Sequence, residues 1–311
     1  MKIIFMGTPD FSVSTLDAVA KAGHSIELVV TQPDKPKGRG GAMQCSPVKE
    51  WALEHNIPVF QPRRIKEAEA VAELKKYNAD LFLVVAFGQI LSKEILDMPR
   101  LGCVNVHASL LPKYRGAAPI QWAVINGDEV SGVTTMMMGV GIDDGDMLLK
   151  KEFKLAEDET GGSLFDKLAG IGGELAVETL EKLEKGEITP IPQDEAEATH
   201  VGMIKKDFGK VDFTKSACEI ERLVRGLNPW PSAFTFLDGK TFKLWVTKVV
   251  DKVDAAAPAG TVVAKTSEGL VISCGGDQDL LVSELQIEGK KRMSAVDFLR
   301  GKDIAIGTKL G

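Results

Sequence analysis

Lys2-Ile3-Ile4-Phe5-Met6 is an apolar run that stops at Gly7-Thr8-Pro9-Asp10, and over residues 11–22 apolar side chains recur at helical spacing. Strand, tight turn and helix in that order open a doubly wound α/β sheet. The turn lacks the G-x-G-x-x-G fingerprint of dinucleotide binding, because Pro9 stands where the second glycine is needed. The expectation is a Rossmann-like, mostly parallel sheet that uses no NAD.

The same pattern continues along the chain. Ile26-Glu27-Leu28-Val29-Val30 reads as a second strand and Pro58-Val59-Phe60 as a short one. Leu81-Phe82-Leu83-Val84-Val85-Ala86 is apolar without a break, the mark of a parallel strand covered on both faces. Gly88-Gln89-Ile90-Leu91 then leaves its carboxyl end, where open α/β sheets bind ligands. Helices are expected at 46–55, with Ser46 as N-cap and Pro47 in the first position, at 67–77 and at 117–125, and 163–185 reads as one long helix or a closely spaced pair. Residues 32–41 are polar and rich in Pro and Gly, so they exclude a helix or a central strand. They carry Lys35, Lys37 and Arg39 against Asp34. That mixture suits a loop that orders on a phosphate-rich partner, with plain solvated surface as the alternative.

Residues 189–207 are polar, proline-bearing and without period, as in Thr189-Pro190-Ile191-Pro192-Gln193-Asp194-Glu195, and read as an inter-domain linker. It separates an α/β domain over 1–188 from a second domain over 208–311. There a helix at 217–226 ends at Asn228-Pro229-Trp230-Pro231. Short strands at 233–237, 241–248, 260–265, 269–273 and 280–287, broken by glycine turns, suggest a small β-barrel of OB type.

At 311 residues the chain has room for two domains, each with its own core. The net charge is −6, unevenly divided: from Gly209 onward 15 Lys+Arg face 13 Asp+Glu, and before it 23 face 31. A mildly basic last part hints at a polyanionic partner, and chance variation between two surfaces explains the count equally well. Cys45, Cys103, Cys218 and Cys274 lie far apart and the four histidines are scattered. That pattern speaks against a disulfide framework or a metal site and suits a reducing cytosol. The chain starts directly on a strand, so no signal peptide is expected. No apolar run nears the roughly 20 residues that span a bilayer. A cytoplasmic protein without a membrane partner is expected.

Gly102-Cys103-Val104-Asn105-Val106-His107-Ala108-Ser109-Leu110-Leu111-Pro112-Lys113-Tyr114-Arg115-Gly116 carries the candidate chemistry. Asn105 and His107 are two apart on a strand pattern and so share one face. An amide and an imidazole side by side offer an oxyanion donor and a titratable group. A strand histidine is often merely packed, so the pair gains meaning from a second stretch, Gly141-Ile142-Asp143-Asp144-Gly145-Asp146, which follows another apolar run. Asn105, His107 and Asp143 together could move an acyl group between nitrogens without a covalent intermediate. Asp144 stands beside Asp143 as a second carboxylate, and the spacing favours Asp143. No Gly-x-Ser-x-Gly elbow or Cys–His arrangement recommends a nucleophile.

These residues resemble the folate-dependent formyltransferases. The resemblance runs along essentially the whole chain, through Gly7-Thr8-Pro9-Asp10-Phe11, Val104-Asn105-Val106-His107, Ser109-Leu110-Leu111-Pro112, Arg115-Gly116-Ala117-Ala118-Pro119-Ile120-Gln121, Asp143 with Gly145-Asp146-Met147, and Asn228-Pro229-Trp230-Pro231. The Asn-x-His and Ser-Leu-Leu-Pro pair is specific to that superfamily, and the Arg39 loop with a domain after a linker narrows the likeness to its tRNA-acting branch. Two positions depart: the family usually has Asp where this chain has Gly139, and commonly Thr where it has Asp144. The resemblance implies formyl transfer from 10-formyltetrahydrofolate to the α-amine of methionyl-initiator-tRNA, by a monomer that needs no metal. It implies that Asn105 donates to the oxyanion, that His107 shares that task or passes a proton, and that Asp143 supports His107. Ser109, Leu110, Leu111 and Pro112 would contribute to the folate site, with Ile90, Leu91 and the 139–144 loop against its planar head. Arg39 would read the acceptor end of the tRNA.

Overall fold

The computed structural model describes residues 1–37 and 42–311, and of Lys37 and Ala42 the backbone alone. The position expected to read the tRNA end, Arg39, lies outside the described residues. The chain forms two compact units. The first comprises Met1–Pro119, Val130–Lys154 and Phe165–Val201, and the second Ile120–Glu129, Leu155–Leu164 and Gly202–Gly311.

Among the described residues of the first unit, seven strands make one sheet: β1 (Lys2–Gly7), β2 (Ser25–Val30), β3 (Val59–Phe60), β4 (Leu81–Val85), β5 (Cys103–His107), β6 (Val130–Met137) and β7 (Met147–Lys154). Their order is β7-β6-β5-β4-β1-β2-β3. The pairs from β3 through β5 are parallel, and β6 and β7 are added antiparallel at one side. The order reverses between β1 and β4, which is where doubly wound sheets open a crevice at their strand carboxyl ends. Every residue of β4 is buried, as a parallel strand covered on both faces requires. β7 has no apolar run to mark it in the sequence, since Met147 and Leu148 are soon followed by exposed Lys150, Lys151 and Glu152. Such charge suits an edge strand, which must not pair with another chain.

Helices cover the sheet. α1 (Asp10–Lys21) is tied to the end of β4 by the Ser12 hydroxyl, which donates to the Val85 carbonyl at 2.6 Å. α2 (Pro47–Glu54) starts as expected: Ser46 accepts from the Lys49 N–H at 3.1 Å, and Pro47 needs no donor there. α3 (Ala68–Leu74) contributes Ala70, Val71 and Leu74 to a core with Ile4, Met6, Leu28, Val30, Phe82 and Val84. α4 (Pro119–Asn126) belongs, from Ile120 on, to the second unit, and in the first-unit part of α5 (Gly161–Glu184) Thr179 is hydrogen-bonded to Thr135 of β6 at 2.8 Å.

Residues 189–201, expected as linker, are docked within the first unit. Met147 and Ile191 exchange backbone hydrogen bonds at 2.8 and 2.9 Å, and Arg115 and Gly116 pair in parallel with His200 and Val201. In the second unit a capping box of Ser216 and Glu219 starts α6 (Ala217–Gly226). Strands β8 (Ala233–Leu237), β9 (Lys240–Asp251), β10 (Val262–Lys265), β11 (Leu270–Ser273) and β12 (Gln278–Ile287) form an antiparallel sheet in the order β8-β9-β12-β11-β10. α7 (Ala295–Gly301) packs Ala295 and Phe298 into its core. The chain end joins the two sheet margins: Leu310 donates to the Gly260 carbonyl just before β10, and Gly311 to the Phe236 carbonyl of β8. Tying both edges together is how a short-stranded sheet wraps toward a barrel.

Candidate active site

β5 sets the first two groups. Its alternation points Asn105 and His107 the same way, and neither is more than 8% exposed. The His107 ring is pinned at Nε2, which lies 3.0 Å from the Tyr114 carbonyl. A carbonyl there can only accept, so Nε2 carries hydrogen and Nδ1 is left to exchange a proton. Tyr114 presents that carbonyl from a left-handed backbone, φ +61°, while its own N–H donates to the Thr199 hydroxyl at 2.8 Å. Such backbone conformations are costly for large residues and collect at sites where the geometry is used.

The loop between β6 and β7 brings the acid. Asp143 Oδ2 is 3.7 Å from His107 Nδ1 and accepts from the Gly116 N–H at 2.8 Å; Oδ1 is 3.5 Å from Asn105 Nδ2. Both side-chain contacts are long, so the amide can turn toward a developing oxyanion without breaking a strong bond. Gly116 is at φ +102°, and a Cβ there would lie 2.4 Å from the Val201 carbonyl oxygen. Glycine is therefore required for its N–H to reach Asp143. Of the two neighbouring carboxylates, Asp143 faces His107. The Asp144 carboxylate folds back over its own loop, where Cβ atoms on Gly139 and Gly141 would lie 2.8 and 2.0 Å from its oxygens. Gly139 and Asp144, the two departures from the family pattern, thus occupy one space between them.

Ser109, Leu110, Leu111 and Pro112 form the turn after β5. The Thr134 hydroxyl accepts from the Leu111 N–H at 3.1 Å and donates to the Ser109 carbonyl at 2.7 Å, while Ser109 Oγ donates to the Lys113 carbonyl. Leu111 is fully buried with Met136 and Met147, and Leu91 lies in the main core, so these two support the turn and loop from beneath. Ile90 is 69% exposed on the loop after β4, and Val140 and Ile142 are exposed on the Asp143 loop. Burial pushes the Cys103 thiol up to about 12, so no thiolate nucleophile stands on this strand.

Lys35 is exposed on a short antiparallel ladder, Lys35–Lys37 with Ala42–Gln44. Asp34 anchors its base, accepting from Lys49 Nζ at 2.6 Å and Gln61 Nε2 at 2.7 Å; the Lys49 ammonium holds that carboxyl below its ordinary range. Sequence reasoning missed the roles of Arg115, Gln193 and Glu195. Arg115 is 2% exposed, donating from Nε to Gln193 Oε1 at 2.9 Å and from its other nitrogens to Glu195 at 3.0 and 2.7 Å. A lone arginine in a basic-looking loop gave no sign that its partners lay some 80 residues on. It also missed a cavity of about 460 Å³ in the second unit, lined by Lys206, Asp207, Trp230, Pro231, Phe234, Thr241 and Lys243. Among the described residues no group of three or more His, Cys, Asp or Glu is placed to hold a metal ion, and no helix is long and apolar enough to cross a membrane.

Comparisons with known proteins place the chain in a family. Residues 1–180 match the formyl transferase family model, and residues 203–303 match the formyl transferase C-terminal domain. The chain is 59% identical over 308 residues to a methionyl-tRNA formyltransferase of Agathobacter rectalis, covering 99% of each, and 55% identical to that of Lachnospira eligens, covering 100% of each. The fold is shared with an N-formyltransferase from Helicobacter canadensis solved with folinic acid and dTDP-3-aminofucose, at TM-score 0.66 and 18% identity over 91% of this chain and 98% of that one. With both domain models matched and full-length relatives above half identity, the chain belongs to the formyl transferase family, on the methionyl-tRNA formyltransferase branch.

Proposed function

We propose that this chain transfers the formyl group of 10-formyltetrahydrofolate to the α-amine of methionyl-initiator-tRNA, as a cytoplasmic monomer. The observation that carries the chemistry is the convergence of the Asn105 amide, His107 Nδ1 and the Gly116 N–H on the Asp143 carboxylate. The acceptor follows from the full-length likeness to enzymes of that name.

The amine nitrogen attacks the formyl carbon and forms the new C–N bond, leaving negative charge on the formyl oxygen. Asn105 Nδ2 turns to donate to that oxygen, a contact whose loss costs about 3–4 kcal/mol in other acyl-transfer sites. His107 and Asp143 manage the proton: the amine loses it as the tetrahedral carbon forms, and N10 of the folate takes one up as its bond to that carbon breaks. With Nε2 held by Tyr114, Nδ1 is the nitrogen that serves, 3.7 Å from the Asp143 carboxylate. The chemistry calls on no metal and no nicotinamide. Ser109, Leu110, Leu111 and Pro112 shape the folate site, with Ile90, Val140 and Ile142 offering apolar contact and Leu91 and Leu111 backing it from the core.

Lys35, Lys37 and Arg39 meet tRNA phosphates in this reading, and the second unit adds its own surface. Its Trp230 is 55% exposed beside Phe234, Lys206 and Lys243, a pairing of ring faces and ammonium groups that suits bases and phosphates of a nucleic acid. The test is to supply 10-formyltetrahydrofolate with either methionyl-initiator-tRNA or a dTDP-aminosugar. Formyl appearing on the tRNA and not on the sugar supports the reading; formylation of the sugar alone overturns it.

A further inference from the structure

Gln193 sits in the middle of the polar stretch that the sequence presents as a connector, and its amide is engaged at both ends. Nε2 donates to the carbonyls of Asp143 and Gly145, each at 2.8 Å, and Oε1 accepts from Arg115 Nε at 2.9 Å. Arg115 precedes Gly116, whose N–H reaches the Asp143 carboxylate. The result is a closed ring: guanidinium to amide, amide to the Asp143 backbone, Asp143 carboxylate to Gly116, and Gly116 to Arg115 through the peptide bond. Asp143 is held within it at φ +53°, a left-handed conformation that an Asp leaves easily unless its surroundings fix it.

We propose that Gln193 is a positioning residue for the transfer reaction: it clamps the backbone of Asp143 so that the carboxylate meets His107 and Asn105. This rests on the catalytic reading of Asp143 given above. The clamp is a side-chain device laid over a backbone frame. The segment stays docked through the Met147–Ile191 exchange at one end and the Arg115–Gly116 ladder with His200–Val201 at the other, so losing the amide loosens the Asp143 loop and leaves the segment in place. Arg115 in turn is almost wholly buried and spends its remaining nitrogens on the exposed Glu195, which orients the guanidinium toward Gln193.

The test measures formylation of methionyl-initiator-tRNA by the full chain, separating kcat from KM for each substrate. Gln193→Ala is expected to lower kcat about tenfold while both KM values stay within about twofold, since the clamp acts through the Asp143 backbone and touches no substrate. Gln193→Glu keeps an acceptor for Arg115 and loses both donors, so it should be as slow as Gln193→Ala. Gln193→Asn keeps the donors on a shorter arm and should recover part of the rate. Wild-type kcat in Gln193→Ala or Gln193→Glu overturns the proposal, as does a rise in KM at constant kcat, which would make the segment part of a substrate site. Asp143→Asn is assayed beside them. If it formylates normally, the catalytic reading and the clamp fall together; if it is inactive while Gln193→Ala is normal, the clamp alone falls. Should Gln193→Ala fail to fold, Gln193→Glu decides by the same criteria.

Discussion

Two regions position Asp143, one at its carboxylate and one at its backbone, and they are built in opposite ways. On one side β5 presents Asn105 and His107 from a strand in the middle of a sheet, every residue buried. On the other, residues 190–201 present Gln193 and Glu195 from a stretch of largely exposed side chains, with Glu195 74% exposed. The strand fixes its groups by packing, where a misplaced atom costs dispersion and burial together. The outer segment fixes its groups by hydrogen bonds that water can replace at modest net cost. The difference teaches that the reacting groups sit on the rigid side, while the acid between them is adjustable from the outside.

Changes on the rigid side should act on chemistry most. Asn105→Ala and His107→Ala should each lower kcat by about 10²-fold or more, through loss of oxyanion donation or proton transfer. Near-normal turnover in His107→Ala would remove the ring from the mechanism. Gly116→Ala lies where the two regions meet. Its Cβ would strike the Val201 carbonyl oxygen and strain a backbone at φ +102°, so it should cost about 1–3 kcal/mol of stability and reduce formylation with it. A thermal unfolding midpoint equal to the wild type's would show that the two strands slide apart freely there.

The smallest effect belongs to the exposed end of the outer segment. Arg115, by hydrogen bonding first and charge second, holds the Glu195 carboxyl below its ordinary value of 4.5. A lowered folded value means the pair contributes fully above the unfolded carboxylate range and is lost as pH falls through the lowered value. Glu195→Gln should therefore change neutral-pH activity by less than about twofold, because the pair is solvent-screened. The variant should also lose less stability than the wild type on acidification below about pH 4.5. Parallel acid-unfolding curves would remove the pair from the account.

The same contrast explains what the sequence made legible. The α/β opening at Lys2–Gly7, the buried β4 and the Asn105–His107 face follow from periodicities that packing enforces, and they were readable residue by residue. Asp143 was readable from its spacing after an apolar run, yet its separation from Asp144 depends on where each carboxylate turns, which Gly139 and Gly141 decide by having no Cβ. β7 hid because an edge strand tolerates charge, and residues 189–201 hid because polar side chains that bond to one another look the same in sequence as polar side chains in water. Leu91 and Leu111 read as ligand contacts from their place in the motifs, whereas burial gives them a supporting position.

The most direct measurement compares kcat for formylation of methionyl-initiator-tRNA in Asp143→Asn and Asp144→Asn. The account predicts a fall of about 10²-fold or more for Asp143→Asn, since that carboxylate is shared by Asn105, His107 and Gly116. It predicts a change within about threefold for Asp144→Asn, whose carboxylate is turned into its own loop. The reverse order would contradict it.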